Sequence, residues 1–201
     1  RIIISGLSGG SGKTLVSLGL ARHFVSTGVT VQAFKKGPDY IDYAWLSLAA
    51  KRPCACLDPY FLSDSALCDH FTATCAKHPA QLALIEGNRG LFDGRDITGS
   101  CSTAHVARTL SAPVVLVMNC AKMTRTAAAI VNGIASFEKG LVLAGVILNN
   151  AAGARHATML RAAVETYTSI PFLGVLPRMR HNPLPERHLG LALDSEAPEV
   201  E

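Results

Sequence analysis

Charge is scarce in this chain: only 17% of its 201 residues are Asp, Glu, Lys or Arg, against 49% hydrophobic. That ratio excludes extensive disorder and fits a buried sheet covered by helices, in a chain long enough for one domain with a sizeable core. No charge-free apolar run reaches the roughly 18 residues of a membrane span. Arg1 leads directly into the first apolar stretch without a cleavable leader, so the expectation is a soluble, cytoplasmic protein with no membrane partner. The six cysteines (Cys54, Cys56, Cys68, Cys75, Cys101, Cys120) include no Cys-x-x-Cys pair and are expected as free thiols of a reducing compartment. A dispersed net charge of +4 is too small to predict nucleic-acid binding, although it suits a polyanionic small substrate. Internal repeats and low-complexity tracts are lacking. Residues 1–193 are expected to form one domain, with 194–201 as a mobile tail or the start of a linker.

What the chain does have is alternation. Apolar, β-prone runs recur at Ile2–Ser5, Thr30–Phe34, Leu82–Glu86, Val114–Asn119, Leu143–Asn149 and Phe172–Leu176, and most longer intervals read as amphipathic helices. Uninterrupted apolar strands such as Val114–Met118 predict a mostly parallel sheet buried on both faces, with right-handed crossovers and a ligand site at the strands' carboxyl ends. One helix is expected from Leu15 to about Ser26, stopped by Gly28. Another is expected to start with Ser102 or Thr103 as cap and to reach Leu110.

Between the first strand and the first helix lies Gly6-Leu7-Ser8-Gly9-Gly10-Ser11-Gly12-Lys13-Thr14. Gly9, Gly10 and Gly12 let the backbone curl around a triphosphate, with the N–H groups of Ser11 and its neighbours aimed at its oxygens. Lys13 supplies a cation and Thr14 a hydroxyl for Mg²⁺, as in a phosphate-binding loop. The usual first glycine of that motif is Leu7 here, with Gly6 one position earlier. The expected ligand is a nucleoside triphosphate.

Two strand-end loops are too polar and glycine-rich to be simple connectors. Lys35-Lys36-Gly37-Pro38-Asp39-Tyr40-Ile41-Asp42 places two cations and then two carboxylates near the γ-phosphate, and Glu86-Gly87-Asn88-Arg89-Gly90-Leu91-Phe92-Asp93-Gly94 follows the run at 82–86. Glu86 is expected to serve Mg²⁺, with Asp42 as a further oxygen ligand, and a lysine at 35 or 36 to neutralise the transferred phosphoryl group. The alternative is that Asp39 and Asp42 make turn hydrogen bonds beside Pro38.

These segments, with Leu57-Asp58-Pro59, Ser102-Thr103-Ala104 and Pro185-Glu186-Arg187-His188-Leu189-Gly190-Leu191, resemble in order and spacing the ATP-binding amidoligase domain of the cobyrinic acid a,c-diamide synthases, relatives of dethiobiotin synthetase. The resemblance implies a three-layer α/β sandwich of the P-loop NTPase type. It also implies ATP-dependent amidation of two acetate side chains of a corrinoid polycarboxylate, with ATP and Mg²⁺ bound and ammonia drawn from glutamine. Lys13, Thr14, Asp42 and Glu86 would handle phosphates and metal, with Leu15 beside the nucleotide and Lys36 among the catalytic cations. Asp39, Tyr40 and Asp93 would orient substrate or deprotonate ammonium, with Ile41 and Arg89 on the substrate. Asn149, with Asn150 as competitor, would read the adenine edge, and Arg187 and His188 would lie near substrate or nucleotide.

The chain departs from that pattern at Tyr43, Leu46 and Asn88-Arg89, all flanking the substrate loops. The planar fork of Arg89 suits two-point binding of a carboxylate. The family's glutamine amidotransferase domain has no counterpart here: Gly99-Ser100-Cys101-Ser102-Thr103 ends in Thr103 where a nucleophile elbow needs glycine, so Cys101 is expected as a structural thiol. Competing readings are nickel-sirohydrochlorin a,c-diamide synthase, a dethiobiotin synthetase-like carboxylase, and a partitioning or regulatory ATPase. The last class carries an early lysine that Gly6–Ser11 lacks. A homodimer sharing the substrate site is compatible with the resemblance.

Overall fold

The computed structural model describes residues 1–179 and the backbone of two short strands at 186–187 and 190–191. Strands β1 (Ile2–Gly6), β2 (Val31–Lys36), β3 (Ala55–Leu57), β4 (Leu82–Glu86), β5 (Val114–Asn119), β6 (Leu143–Ala151) and β7 (Phe172–Pro177) alternate with helices. The helices are α1 (Lys13–Ser26), α2 (Tyr40–Ala50), α3 (Asp64–Lys77), α4 (Thr103–Thr109), α5 (Thr126–Phe137) and α6 (Ala154–Tyr167). A final hairpin pairs β8 (Glu186–Arg187) with β9 (Gly190–Leu191). Strands β1 to β7 form one sheet, in the order β3-β2-β4-β1-β5-β6-β7, and every pairing in it is parallel.

Side chains alternate across each strand, so the sheet buries two apolar faces. On one face Ile4, Val31, Ala33, Leu84 and Val117 meet Val16 and Ala21 of α1 and Leu46 and Ala50 of α2. On the other, Ile3, Phe34 and Ile85 meet Leu67 and Phe71 of α3 and Ala104, Val106 and Ala107 of α4. Farther along that face, Leu116, Met118, Val146 and Leu148 pack on Val131 of α5 and Leu160 and Val164 of α6. This is the three-layer arrangement the apolar runs predict. The chain leaves β1 toward β2 on one side, and β5 later fills the other, so the loop after β1 opens where the winding reverses.

The structure corrects three expectations. The strand expected at 30–34 runs on through Lys35 and Lys36, and α2 begins at Tyr40, so Asp42 belongs to a helical first turn rather than a loop. Pro38 breaks the strand, and Asp39 starts the helix as its cap, its carboxylate accepting from Asp42 N at 3.3 Å. Strand β3, absent from the expected set, makes Leu82–Glu86 the fourth strand rather than the third. The run ending at Asn149 continues to Ala151. The tail 194–201 lies outside the described residues.

Candidate active site

The loop after β1 turns back on itself through two left-handed glycines, Gly10 (φ 72°) and Gly12 (φ 98°), and Gly12 caps α1. Ser11 Oγ fastens the turn by accepting from Ser8 N at 3.2 Å and donating to Ser8 O at 2.9 Å. Lys13 Nζ donates to that same carbonyl at 2.8 Å, holding the cation over the hollow of the loop. Burial lowers the Lys13 pKa, with Glu86 opposing and Lys35 reinforcing the shift. No acid occupies the first turn of α1, so its free N–H groups and positive dipole end face a bound anion without competition.

Beside this loop sits a buried charged cluster. Glu86, at the end of β4 and 0% exposed, accepts on Oε1 from Thr14 Oγ1 at 2.7 Å and from Lys35 Nζ at 2.9 Å. Lys35 Nζ also donates to Asp42 Oδ2 at 2.5 Å, so one ammonium is shared by two carboxylates. Burial would lower the lysine's pKa, but the two carboxylates outweigh it and hold Lys35 protonated well above its ordinary range. Asp42 moves the other way: burial and the Glu86 charge push its carboxyl up to about 6 despite Lys35. Glu86 Oε2 is buried with no hydrogen-bond partner among the described residues. That orphaned oxygen, the Thr14 hydroxyl and the Asp42 carboxylate are a hard-oxygen set, the chemistry that Mg²⁺ selects. Among the described residues no three His, Cys, Asp or Glu side chains converge as a self-sufficient metal centre. A cation that completes its shell with phosphate oxygens and water does not need one.

The raised Asp42 pKa has a definite sign. Its folded value exceeds the ordinary 3.8, so between about pH 4 and 6 the folded state holds more protons than the unfolded one, and stability falls as pH rises through that window. Urea unfolding across pH should show the wild-type protein losing on the order of 1–3 kcal/mol relative to Asp42→Asn between about pH 4 and 6.5. Parallel pH profiles for the two proteins would contradict this placement.

The loop after β4 is laced to the phosphate loop. Leu91 N donates to Gly6 O at 2.8 Å, and Gly90 N donates to Asp93 Oδ2 at 3.0 Å. At Gly90 an added Cβ would lie 2.5 Å from both Asp93 Oδ2 and Leu7 O, so only glycine fits. Thr103, buried at the start of α4, closes the loop from behind through hydrogen bonds with Asn88 N and O, both at 3.3 Å. The field of Asp93 reaches Lys13, which places this exposed carboxylate at the mouth of the phosphate site.

Of the residues singled out in the sequence, Lys13, Thr14, Lys35, Asp42 and Glu86 come together. Leu15 is half-buried in the first turn of α1. Tyr40 is 71% exposed on the first turn of α2, beside half-buried Ile41. Asn149 is buried under the phosphate loop, its Nδ2 donating to Ser11 O at 3.2 Å and its Oδ1 accepting from Asn150 N at 2.9 Å. Asn150 itself takes a left-handed conformation, φ 64°. Lys36, although adjacent to Lys35, points to the opposite face of the sheet, among the fields of Asp58, Cys101 and Arg89. Cys101 Sγ donates to Pro59 O at 3.3 Å, a structural tie. His188 and the side chain of Arg187 lie outside the described residues. Asp58, buried next to Lys36, carries no expected role from the sequence, and Thr103, expected there only as a possible cap of α4, instead braces the loop after β4 while Ser102 takes the cap; both stand in the segments Leu57-Asp58-Pro59 and Ser102-Thr103-Ala104 that carry the resemblance.

Comparison with known proteins agrees with this fold. Residues 2–191 match the CobQ/CobB/MinD/ParA nucleotide binding domain. The chain is 44% identical to a cobyrinate a,c-diamide synthase of Magnetococcus marinus over 98% of its own length and 42% of that protein. It is 44% identical to one of Dehalococcoides mccartyi over 100% of its own length and 43% of that protein. It therefore spans less than half the length of the curated relatives it matches. Among solved structures, chloroplast FtsY of Physcomitrella patens superposes with a TM-score of 0.58 at 19% identity, covering 87% of this chain and 57% of that one. The hydrogenase maturation factor HypB of Archaeoglobus fulgidus gives 0.57 at 14% identity, covering 88% and 81%. At those identities the likeness is one of fold.

Proposed function

The chain belongs to the CobQ/CobB/MinD/ParA nucleotide binding domain family, and from that premise we propose that it carries out ATP-dependent amidation of the a and c acetate carboxylates of cobyrinic or hydrogenobyrinic acid. The observation that carries the substrate is the 44% identity with cobyrinate a,c-diamide synthases across 98% of the chain. The site supplies a chemical rationale. Hydroxide is a poor leaving group, so ammonia does not displace it from a carboxylate. Transfer of the γ-phosphoryl group to a carboxylate oxygen, with ADP leaving, gives an acyl phosphate. Ammonia then attacks its carbonyl carbon, inorganic phosphate departs, and the amide remains.

In this reading the N-terminus of α1 and Lys13 hold the β- and γ-phosphates, in trade for the Ser8 carbonyl that Lys13 now occupies. Thr14, Asp42 and Glu86 would hold Mg²⁺, which would draw charge from the phosphate oxygens. Lys35, fixed by two carboxylates, keeps a full positive charge beside the phosphoryl group throughout turnover. Asp93, exposed at the mouth, accepts the proton released when ammonium becomes the nucleophile, and Asp39 shapes the substrate's approach as cap of α2. Ammonia comes from a glutamine amidotransferase domain, for which the uncovered length of the relatives leaves room. Positional labelling tests the sequence of steps. With ¹⁸O in the substrate carboxylates, label should pass into inorganic phosphate with each amide formed, whereas amide formation with unlabelled phosphate would contradict an acyl phosphate.

A further inference from the structure

The two adjacent lysines at the end of β2 do different work. Lys35 lies on the α1–α2 face, hydrogen-bonded to both Asp42 and Glu86. Lys36 faces the α3–α4 side, is buried, and makes no hydrogen bond or ion pair among the described residues. Asp58 is the one carboxylate whose field opposes the loss of its proton, and Asp58 Oδ1 is engaged with Tyr60 N at 2.9 Å. The other cation near Lys36 is Arg89: the loops carrying them abut, a Cβ added at Gly37 lying 3.2 Å from Asn88 Nδ2, and Arg89 is exposed with a left-handed φ of 52° and no ion pair among the described residues. Burial depresses the Lys36 pKa, and Arg89 and Lys35 add to that depression. An unpaired buried ammonium beside a second cation is an unfavourable arrangement unless an anion enters it.

We propose that Lys36 and Arg89 form an anion subsite, on the sheet face opposite the phosphate cluster, that holds an acidic side chain of the substrate other than the one being activated. The inference rests on the proposed amidation, whose substrate carries several carboxylates around an apolar macrocycle. The surroundings suit such a molecule. Tyr60 and Phe61 are 61% and 76% exposed, with rings edge to face at 5.0 Å. Arg95 lies over the Tyr60 ring, and the Cys101 thiol ties the 94–102 loop to the backbone at Pro59. Through Asp58, which accepts from Tyr60 N, this aromatic pair follows directly on the segment that faces Lys36. Gripping a second carboxylate fixes which acetate reaches the γ-phosphate, so the subsite sets the regiochemistry of amidation.

Calorimetric titration of cobyrinic acid and, separately, Mg-ATP into the wild-type chain, Lys36→Met, Lys36→Arg and Arg89→Met tests this. Expected are a corrinoid affinity weakened roughly tenfold or more by Lys36→Met and by Arg89→Met, and partly restored in Lys36→Arg. Lys36→Met should also melt at a higher temperature than wild type, because it removes a buried charge that only substrate pairs; a merely structural lysine would do the reverse. Corrinoid affinity unchanged in both methionine variants, or a loss confined to Mg-ATP, would overturn the subsite while leaving the amidation proposal standing. A wild-type chain that binds no corrinoid at all would overturn the proposed function and the subsite with it.

Discussion

Glu86→Gln is expected to reduce ATP-dependent turnover by about three orders of magnitude while leaving the fold intact. Glu86 is where the hydroxyl of α1, the ammonium of β2 and an orphaned oxygen meet: Oε1 serves Thr14 and Lys35, and Oε2 has no partner among the described residues. Glutamine fills the same volume, so the packing of β4 against α1 survives. It removes the charge that Lys35 and a divalent cation both need, and it can present an N–H₂ where an acceptor is required. Loss of a buried carboxylate relieves a desolvation cost and the repulsion that raises Asp42, which offsets the lost Lys35 contact while Lys35 keeps Asp42 as partner, so the protein should still melt cooperatively as a folded chain. Steady-state ATP hydrolysis or amidation, with thermal melting as control, reads the outcome. Turnover within tenfold of wild type would remove Glu86 from the metal and phosphate machinery.

Gly12→Ala should lower nucleotide affinity at least about a hundredfold, measured by calorimetry with Mg-ATP. Two independent penalties coincide there. The backbone has φ 98°, a region that costs an L-residue about 1–2 kcal/mol, and an added Cβ would lie 2.2 Å from Asn149 Nδ2. The amide must move, and with it goes the hydrogen bond that holds Ser11 O beneath the phosphate loop. Gly19, exposed in the middle of α1 with open space around it, is the contrast. Gly19→Ala should stabilise the helix by about 0.5–1 kcal/mol with nucleotide affinity unchanged. Equal effects at the two positions would mean that the Asn149 brace does not matter.

Much of this architecture is legible in the amino acids because parallel sheets write it plainly: buried strands are continuous apolar runs, and the phosphate loop sits between the first of them and a helix. Strand β3 escapes because Ala55–Leu57 is three residues at a sheet edge, directly after Pro53 and Cys54, too short for any period to register. Lys35 and Lys36 look equivalent in a loop and separate only once the strand is known to reach them, because neighbouring strand residues face opposite ways. Asp39 and Asp42 carried their own signal: an aspartate followed three residues later by another acid, ahead of an apolar helix, reads as a cap, and Asp39 takes that role while Asp42 turns to Lys35. The brace from Asn149 to Ser11 joins residues far apart in sequence, and no local pattern announces it.

The most direct measurement is mass spectrometry of cobyrinic acid, its metal-free analogue and nickel-sirohydrochlorin after incubation with the wild-type chain, Mg-ATP and ammonium. Conversion of two acids to amides on cobyrinic acid or its metal-free analogue, dependent on ATP, is the predicted result. ATP bound and hydrolysed with no amide on any corrinoid, or amides on nickel-sirohydrochlorin alone, would contradict it.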